Sequence, residues 1–462
     1  MRRGGLGYRG ARAIIAASLT AMIYTGSASA QTGRATTAET SPARPTVDYV
    51  MKPGDTLSDL ARAYLLRVSD YQQVQRLNRV RNDRRMAVGQ VVRFPVDLLR
   101  TEPAQARVTG FRGAVTILQG GQSATPAVGQ IVSEDAVIAT GANAFVRLGL
   151  PDGGHVTLPS QSRVRVGRLR TILLNGALDQ EMRVETGRAE ASAAPVRAPG
   201  GFAIRTPVSV SAVRGTQFRV SYDDEADRAA TEVIEGLVGV STPGAPGADA
   251  ILDAAARQGV VSAKGSAHLT DLAPAPELLQ PDRIQSAAAV ALTLRPQGDI
   301  AYYRARLGND AGMIDAFAEA RSKTADDAVV FDQLDDGAYF VRLTAVTTEG
   351  VEGLASNYSL LRARNGLSNL AASVFGRGRE RRYLFRWEAQ GAGDVHFRFQ
   401  IRPVSTDPDV QPVIDEARLD AAEITVTGLK PGDYEWRVRA TRQAFGRILE
   451  TWSEPQTLHI GR

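Results

Sequence analysis

The chain contains no cysteine. It can therefore form no disulfide or thiolate metal centre, and it offers no catalytic thiol and no N-terminal Cys for lipidation. Histidine is scarce: only His155, His268, His396 and His459 occur, far apart in sequence. No H-E-x-x-H, G-x-S-x-G, Walker-type loop or strand-linked G-x-G-x-x-G is present. Beyond residue 30 no stretch reaches eighteen consecutive apolar residues, which excludes a polytopic helical membrane protein. Lysine is also nearly missing, with four against 51 arginines. What remains is an ordinary folded composition, 43% hydrophobic and 23% charged, which excludes a wholly disordered chain. At 462 residues, the prior of about 150 residues per domain gives three domains. The formal charge is +5, and residues 1–30 hold four arginines and no acid. The rest balances 51 basic against 50 acidic side chains, which argues against nucleic acid as a partner.

The N-terminus reads as an address. Basic residues precede an apolar run from Ala13 to Tyr24, and small residues end at Ala28-Ser29-Ala30. This three-part pattern predicts a signal peptide over 1–30, cleaved before Gln31. The run is too short to span a bilayer comfortably, so the mature form is expected to be exported, with no stable membrane span. Residues 31–46 are rich in Thr, Ala, Ser and Pro and read as a flexible linker.

Residues 47–98 read strand, helix, helix, strand. Leu57, Leu60, Ala61, Tyr64 and Leu65 share one helical face. A second helix is predicted from about Ser69 to Leu77, with Val74 and Leu77 inward and Asn78 ending it. The run Tyr49-x-x-Lys52-x-Gly54-Asp55-Thr56-Leu57, followed by Leu60-Ala61, Tyr64, Leu77-Asn78 and Gly89-Gln90-x-x-x-Phe94-Pro95, resembles the LysM family. The resemblance implies a βααβ module that binds N-acetylglucosamine-containing polymers, peptidoglycan or chitin, in a groove between two loops. Carried over, it names Gly54, Asp55, Thr56 and Leu57 on one side and Asn78 and Asn82 on the other. Asp55 or Thr56 also fits a helix N-cap, and Asn78 a C-cap. Nine basic residues against five acidic ones, between Asp48 and Arg93, suit an anionic wall as well as a solvated face.

From Val108 to Val240 apolar and polar residues alternate in short runs broken by glycine, as a sheet with one buried face requires, and a β domain is expected over 107–272. Pro151-Asp152-Gly153-Gly154 is a hairpin signal. His155 falls on the polar side and is expected to be solvated. The segments Gly129 to Gly141, Leu150 to Leu158, and Ile204-Arg205-Thr206-Pro207 leading to Arg214-Gly215-Thr216-Gln217-Phe218 resemble the FecR domain. Its signature here is Thr206, Pro207, Arg214, Gly215, Thr216 and Phe218. The family's namesakes are transmembrane regulators that sense an outer-membrane receptor and control a sigma factor. This chain has no cytoplasmic anti-sigma segment and no span after residue 30, so only the periplasmic domain type is carried over. Arg214 fits a ligand contact or, beside Gly215, a packing role over a tight turn.

The tail repeats. Leu334-Asp335-Asp336-Gly337-Ala338-Tyr339-Phe340-Val341-Arg342-Leu343-Thr344-Ala345 recurs 95 positions on as Leu429 to Ala440. That period predicts two β-sandwiches, 273–363 and 366–462, similar to fibronectin type III or immunoglobulin-like domains. Tyr339 and Tyr434 fall where a sandwich places a corner tyrosine, its hydroxyl tied to backbone. Trp436 and Trp452 suit either an exposed aromatic contact or packing. Asp310 to Arg321, with Ala311, Met313, Ala316 and Phe317, is expected to form a short helix. Asp223-Asp224-Glu225 and Asp326-Asp327 read as acidic turns.

The whole is expected to be a mainly β multidomain protein, without enzymatic activity, metal or cofactor. It reads as an exported, cell-wall-associated scaffold of the periplasm that binds peptidoglycan and presents its β domains to envelope proteins. The alternatives are a periplasmic signalling accessory, through the FecR-like part, and a cell-wall hydrolase.

Overall fold

The computed structural model describes residues 45–83, 86–194, 201–213, 215–243, 251–407 and 409–461. The predicted signal peptide, most of the predicted linker, and Arg214 lie outside the described residues. Strand dominates the rest, and helix is confined to short segments near the N-terminus and one turn at Gly378–Glu380.

The first module is β1 (Thr46–Val50), α1 (Leu57–Tyr64), α2 (Tyr71–Leu77) and β2 (Val91–Pro95). The two strands pair antiparallel, with Val47 opposite Phe94 and Tyr49 opposite Val92. All four are buried, because alternate residues of a strand share a face. Beneath them lie Leu57, Leu60 and Ala61 of α1. The second helix starts at Tyr71, after a 3-10 turn over Val68–Asp70, rather than at Ser69. It buries Val74, but Leu77, expected inward, stays 39% exposed. The seven-residue helix presents only one side chain fully to the core, and Leu77 falls on its last turn, where Asn78 already ties the chain to β2.

This small core does not stand alone. Ile172, Leu174 and Ala177, at the tip of the hairpin formed by Arg163–Ile172 and Leu178–Ser192, are buried in it. The amide of Leu173 donates to the carbonyl of Arg100 (3.1 Å), and that of Arg100 to the carbonyl of Tyr64 (2.7 Å). The chain then continues as strand Thr101–Pro103, which pairs with Arg163–Ile172.

The strands from Thr101–Pro103 to Ser266–Asp271 form one hydrogen-bonded network that closes on itself. One continuous apolar core fills it, from Ala104 to Val260. Leu178–Ser192 is long enough to serve two sheets. Its first half pairs with Arg163–Ile172, its second with His155–Leu158 and Gln217–Asp223. Gly187 sits at the changeover with φ +77°, and a Cβ there would run into the carbonyl of Gln161 and the backbone of Ser162.

Two further β units follow. In the first, a pair of strands (Val290–Leu292, Val329–Phe331) faces a four-stranded sheet of Ala316–Arg321, Ile300–Gly308, Gly337–Thr347 and Ser356–Arg362 across a shared core. In the second, three strands face five around Phe385, Trp387, Phe399 and Trp436. Both corner tyrosines tie down as expected: Tyr339 Oη donates to the carbonyl of Asp335 and Tyr434 Oη to that of Lys430, each at 3.0 Å. Trp436 is a core residue, while Trp452 is half-buried under the Arg437 guanidinium, 4.2 Å from its ring centre. The helix expected over Asp310 to Arg321 is absent. Asp310 instead accepts from the amides of Ile314 and Asp315, which closes a loop, and Ala316–Arg321 is a strand. Met313 and Ala316 reach across to Phe145 of the closed network.

The closed network and the first of these units are joined by buried charge. Glu352, 5% exposed, receives Arg188 (3.0 Å), Arg219 (3.4 Å), Arg304 and the hydroxyl of Thr344 (2.8 Å). Glu190 takes Arg306 in a two-pronged pair at 2.7 and 3.2 Å, and Glu319 takes Arg188 at 2.5 Å. The amide of Glu352 donates to Glu232 across the seam (3.0 Å). Burial holds the Glu190 and Glu352 carboxyls against ionisation, but the arginines overcome it and both lie below the ordinary range. Glu232 goes the other way: burial outweighs Arg219, 3.9 Å away, and its pKa is pushed up to about 7.

Two predictions follow from these contacts. Leu174→Ala opens a void under the first module, and such losses cost about 2–5 kcal/mol. Amide hydrogen exchange is expected to accelerate over residues 46–98 and to stay unchanged over 382–460; unchanged protection of 46–98 refutes the seating. Second, Glu232 in the folded chain keeps a proton that the unfolded chain, at the ordinary value of 4.5, has released. Stability from this group is therefore full below pH 4.5 and is lost as pH rises through 7. Glu232→Gln keeps an acceptor for the Glu352 amide and removes the titration. Its melting temperature should gain on wild type as pH is raised from 5 to 8; a constant gap contradicts the assignment.

Candidate functional site

The two loops carried over from the LysM resemblance lie side by side. The amide of Leu57 donates to the carbonyl of Asp83 at 3.1 Å, so the loop before α1 is braced against the loop after α2. Gly54, at φ +89°, turns the first loop, and a Cβ there would meet nothing within 4 Å. The space over it is open. Asp55 closes the turn: its Oδ2 accepts from the amide of Lys52 (2.7 Å) and the hydroxyl of Tyr49 (2.9 Å). Burial and this bond push the Tyr49 phenol up to about 12, so it remains a donor at any physiological pH. Thr56, not Asp55, caps α1, accepting from the amide of Asp59 at 3.1 Å.

The six named residues therefore do different work. Leu57 is fully buried, and only its backbone serves the loop. Asn78 spends its amide on the fold: Nδ2 donates to the carbonyls of Val74 (2.8 Å) and Arg93 (2.7 Å), and Oδ1 accepts from the amide of Arg93 (2.8 Å). Gly54 and Asn82 are exposed on the facing loops, and Asp55 and Thr56 are half-buried between loop and helix. The two loops expose backbone and small polar groups beside open space over Gly54.

The FecR signature residues build a corner of the sheet. Thr206 Oγ1 accepts from the amides of Val208 (3.3 Å) and Ser209 (2.9 Å), and Pro207 stands exposed in that turn. Gly215 has φ +69°. Thr216 Oγ1 donates to the carbonyl of Leu237 (3.1 Å), and its own carbonyl accepts from the amide of Ala193 (3.0 Å). Phe218 is fully buried, edge-on to Phe202 at 6.1 Å. Arg214 lies outside the described residues.

The residue types alone did not point to the seam between the closed network and the first β unit. A cavity of about 580 Å³ opens there, with six guanidinium groups in its wall, those of Arg147, Arg219, Arg257, Arg304, Arg306 and Arg342. Among the described residues two carboxylates, Glu190 and Glu352, line it with them. His155, expected in solvent, is half-buried in this wall, and burial and Arg147 hold its pKa below the usual value. A period-2 signal existed: Arg304 and Arg306, like Arg188 and Glu190, sit on one face of their strands. Such spacing marks a face but not the surface that covers it. Among the described residues no group of His, Asp or Glu is arranged to hold a metal ion, and no helix is long and apolar enough to cross a membrane.

Comparison with known proteins agrees with this division. Residues 49–95 match the model of the LysM domain, and residues 136–239 match that of the FecR protein family. No curated protein matches the chain. Among solved structures, two crystal structures of a protein from Parabacteroides distasonis, provisionally described as an anti-sigma factor, align with 20% and 19% identity and TM-scores of 0.25 and 0.24. In each the alignment takes in 29% of this chain and 59% of the other, so this chain spans well under two thirds of their length. The chain thus carries a LysM-like region and a FecR-like region in one β-rich protein.

Proposed function

We propose that the protein is a non-enzymatic, exported scaffold that binds peptidoglycan through residues 47–98 and presents its β units, 107–272, 273–363 and 366–462, to partners in the envelope. The observation that carries this reading is the pair of braced loops, with open space over Gly54, in a segment that matches the LysM domain. Gly54, Asp55, Thr56 and Asn82 are its proposed contacts; Leu57 and Asn78 shape the groove from within. The chemistry is that of neutral amide and hydroxyl recognition, with Lys52 supplying positive charge beside Tyr49, 5.7 Å from the ring centre. One small groove of this type binds on the order of millimolar to micromolar.

The test is co-sedimentation of the mature chain with purified sacculi. Wild type is expected in the pellet and to be displaced by chitin oligosaccharides. Gly54→Glu puts bulk and negative charge over the loop and should leave most of the protein in the supernatant, whereas Gly54→Ala, which carries the same backbone strain at φ +89° without the charge, should remain largely in the pellet. A wild-type protein that stays in the supernatant overturns the proposal, and release of soluble fragments from labelled peptidoglycan overturns its non-enzymatic part. The match of residues 136–239 to the FecR family favours a second reading, in which the middle region senses an envelope protein. Cross-linking in intact cells from residues 130–240 to a receptor or sigma-factor regulator supports that reading; cross-links confined to wall material count against it.

A further inference from the structure

The cavity at the seam has more positive charge than its own acids neutralise. Glu352 is already shared by Arg188, Arg219 and Arg304, and Glu190 is occupied by Arg306. The guanidinium of Arg147, on strand Phe145–Gly149, makes no hydrogen bond or ion pair among the described residues; beyond the strand pairing only its carbonyl is engaged, by the hydroxyl of Thr109. The charge it looks towards is Asp310, whose oxygens are taken by the amides of Ile314 and Asp315. Arg342, facing it from strand Gly337–Thr347, has Nε on the amide oxygen of Asn357 (3.0 Å) and no carboxylate. Burial lowers the pKa of both guanidinium groups, which marks charge taken out of water without full compensation. The Nε atoms of Arg219 and Arg306 are buried and have no acceptor.

Half-buried cations left without a counter-charge are costly unless a ligand supplies one. Guanidinium groups are suited to carboxylate and phosphate because they present paired donors in a plane. The volume falls in the range of sites for small molecules, roughly 300–1,000 Å³. Ile234, Met313 and Leu354 give the wall an apolar part that suits a carbon skeleton. We propose that this cavity binds a small organic polyanion, with Arg147 from the closed network and Arg342 from the first β unit holding its oxyanion groups. Such a ligand is bound by both sides of the seam and tightens it. This site stands independently of the glycan groove.

The experiment uses the mature chain at low ionic strength, with citrate, inorganic phosphate and a triglutamate peptide as probes, followed by calorimetric titration and thermal melting. At least one probe should bind one-to-one and raise the melting temperature. The double variant Arg147→Gln/Arg342→Gln should melt close to wild type without a probe, because it removes two cations that no carboxylate pairs, at the loss of one bond, from Arg342 to Asn357. It should bind at least ten-fold more weakly and lose the thermal response. Binding of phosphate alone assigns a phosphoryl group; binding of citrate or the peptide assigns carboxylates. The proposal is overturned if no probe binds, if binding is many-to-one, or if the double variant binds as tightly as wild type. Should the double variant fail to fold, Arg147→Gln and Arg342→Gln are read singly, and wild-type affinity in both overturns it equally.

Discussion

The structure turns on one carboxylate. Glu352 accepts from three arginines, two on the closed strand network and one on its own β unit, and is almost wholly out of water. Arg219 also donates to the carbonyls of Glu352 and Gly353, at 2.5 and 2.7 Å, so backbone as well as side chain is pinned. Desolvating so many charges costs several kcal/mol per ion, and the mutual attraction repays that only where geometry is good. The benefit is not bulk stability, which an apolar seam would supply as well. It is a single orientation, since an apolar seam slides whereas forked donors on fixed carboxylates do not. The same logic makes removal of one partner worse than removal of all, because the remaining charges are stranded.

That fixed seam explains why the excess charge collects where it does. Arginines shared among three acids, Glu190, Glu319 and Glu352, hold the faces together, and the cations that find no acid end up in the space those faces leave between them. Arg147 and Arg342 belong to the two halves, and each contributes from a regular strand whose backbone is already committed. A site built on strands is positioned more accurately than one built on loops, at the cost of being incomplete until both halves meet. By contrast, the glycan site proposed for the first module is local: every residue proposed for it comes from one stretch of about fifty residues and two loops.

This difference sets what could be read from the chain. The first module was legible because its periods are local: alternation in β1 and β2, one apolar stripe on α1, and a glycine where φ must be positive. The corner tyrosines were legible for the same reason, since hydroxyl and acceptor lie four residues apart. Leu77 misled because helical spacing gives a face without saying where the helix lies over the sheet. Asp310 to Arg321 misled because alanine-rich spacing suits a helix, whereas Asp310 closes a loop and Phe317 packs on Tyr339, two strands over in the same sheet, 5.5 Å between ring centres. His155 misled because the polar side of a hairpin is normally wet. Here another unit covers it, and no pattern within residues 107–272 announces a surface that arrives about 150 residues later.

The seating of the first module then bears on how a weak sugar groove can be useful. A module on a flexible tether searches a volume, and the effective concentration of anything attached to it falls steeply with tether length. Here Ile172, Leu174 and Ala177 lie in the module's own core, and strand Thr101–Pro103 runs from it directly into the closed network. Loop and network are therefore packed as one, so under the proposed function a contact made by the β units would add to the affinity of the proposed glycan site with little loss of freedom. That arrangement favours two weak contacts at a set spacing over one strong one. It also means that disturbing the hairpin tip, far from either groove loop, should weaken retention on glycan through the same core that Leu174 fills.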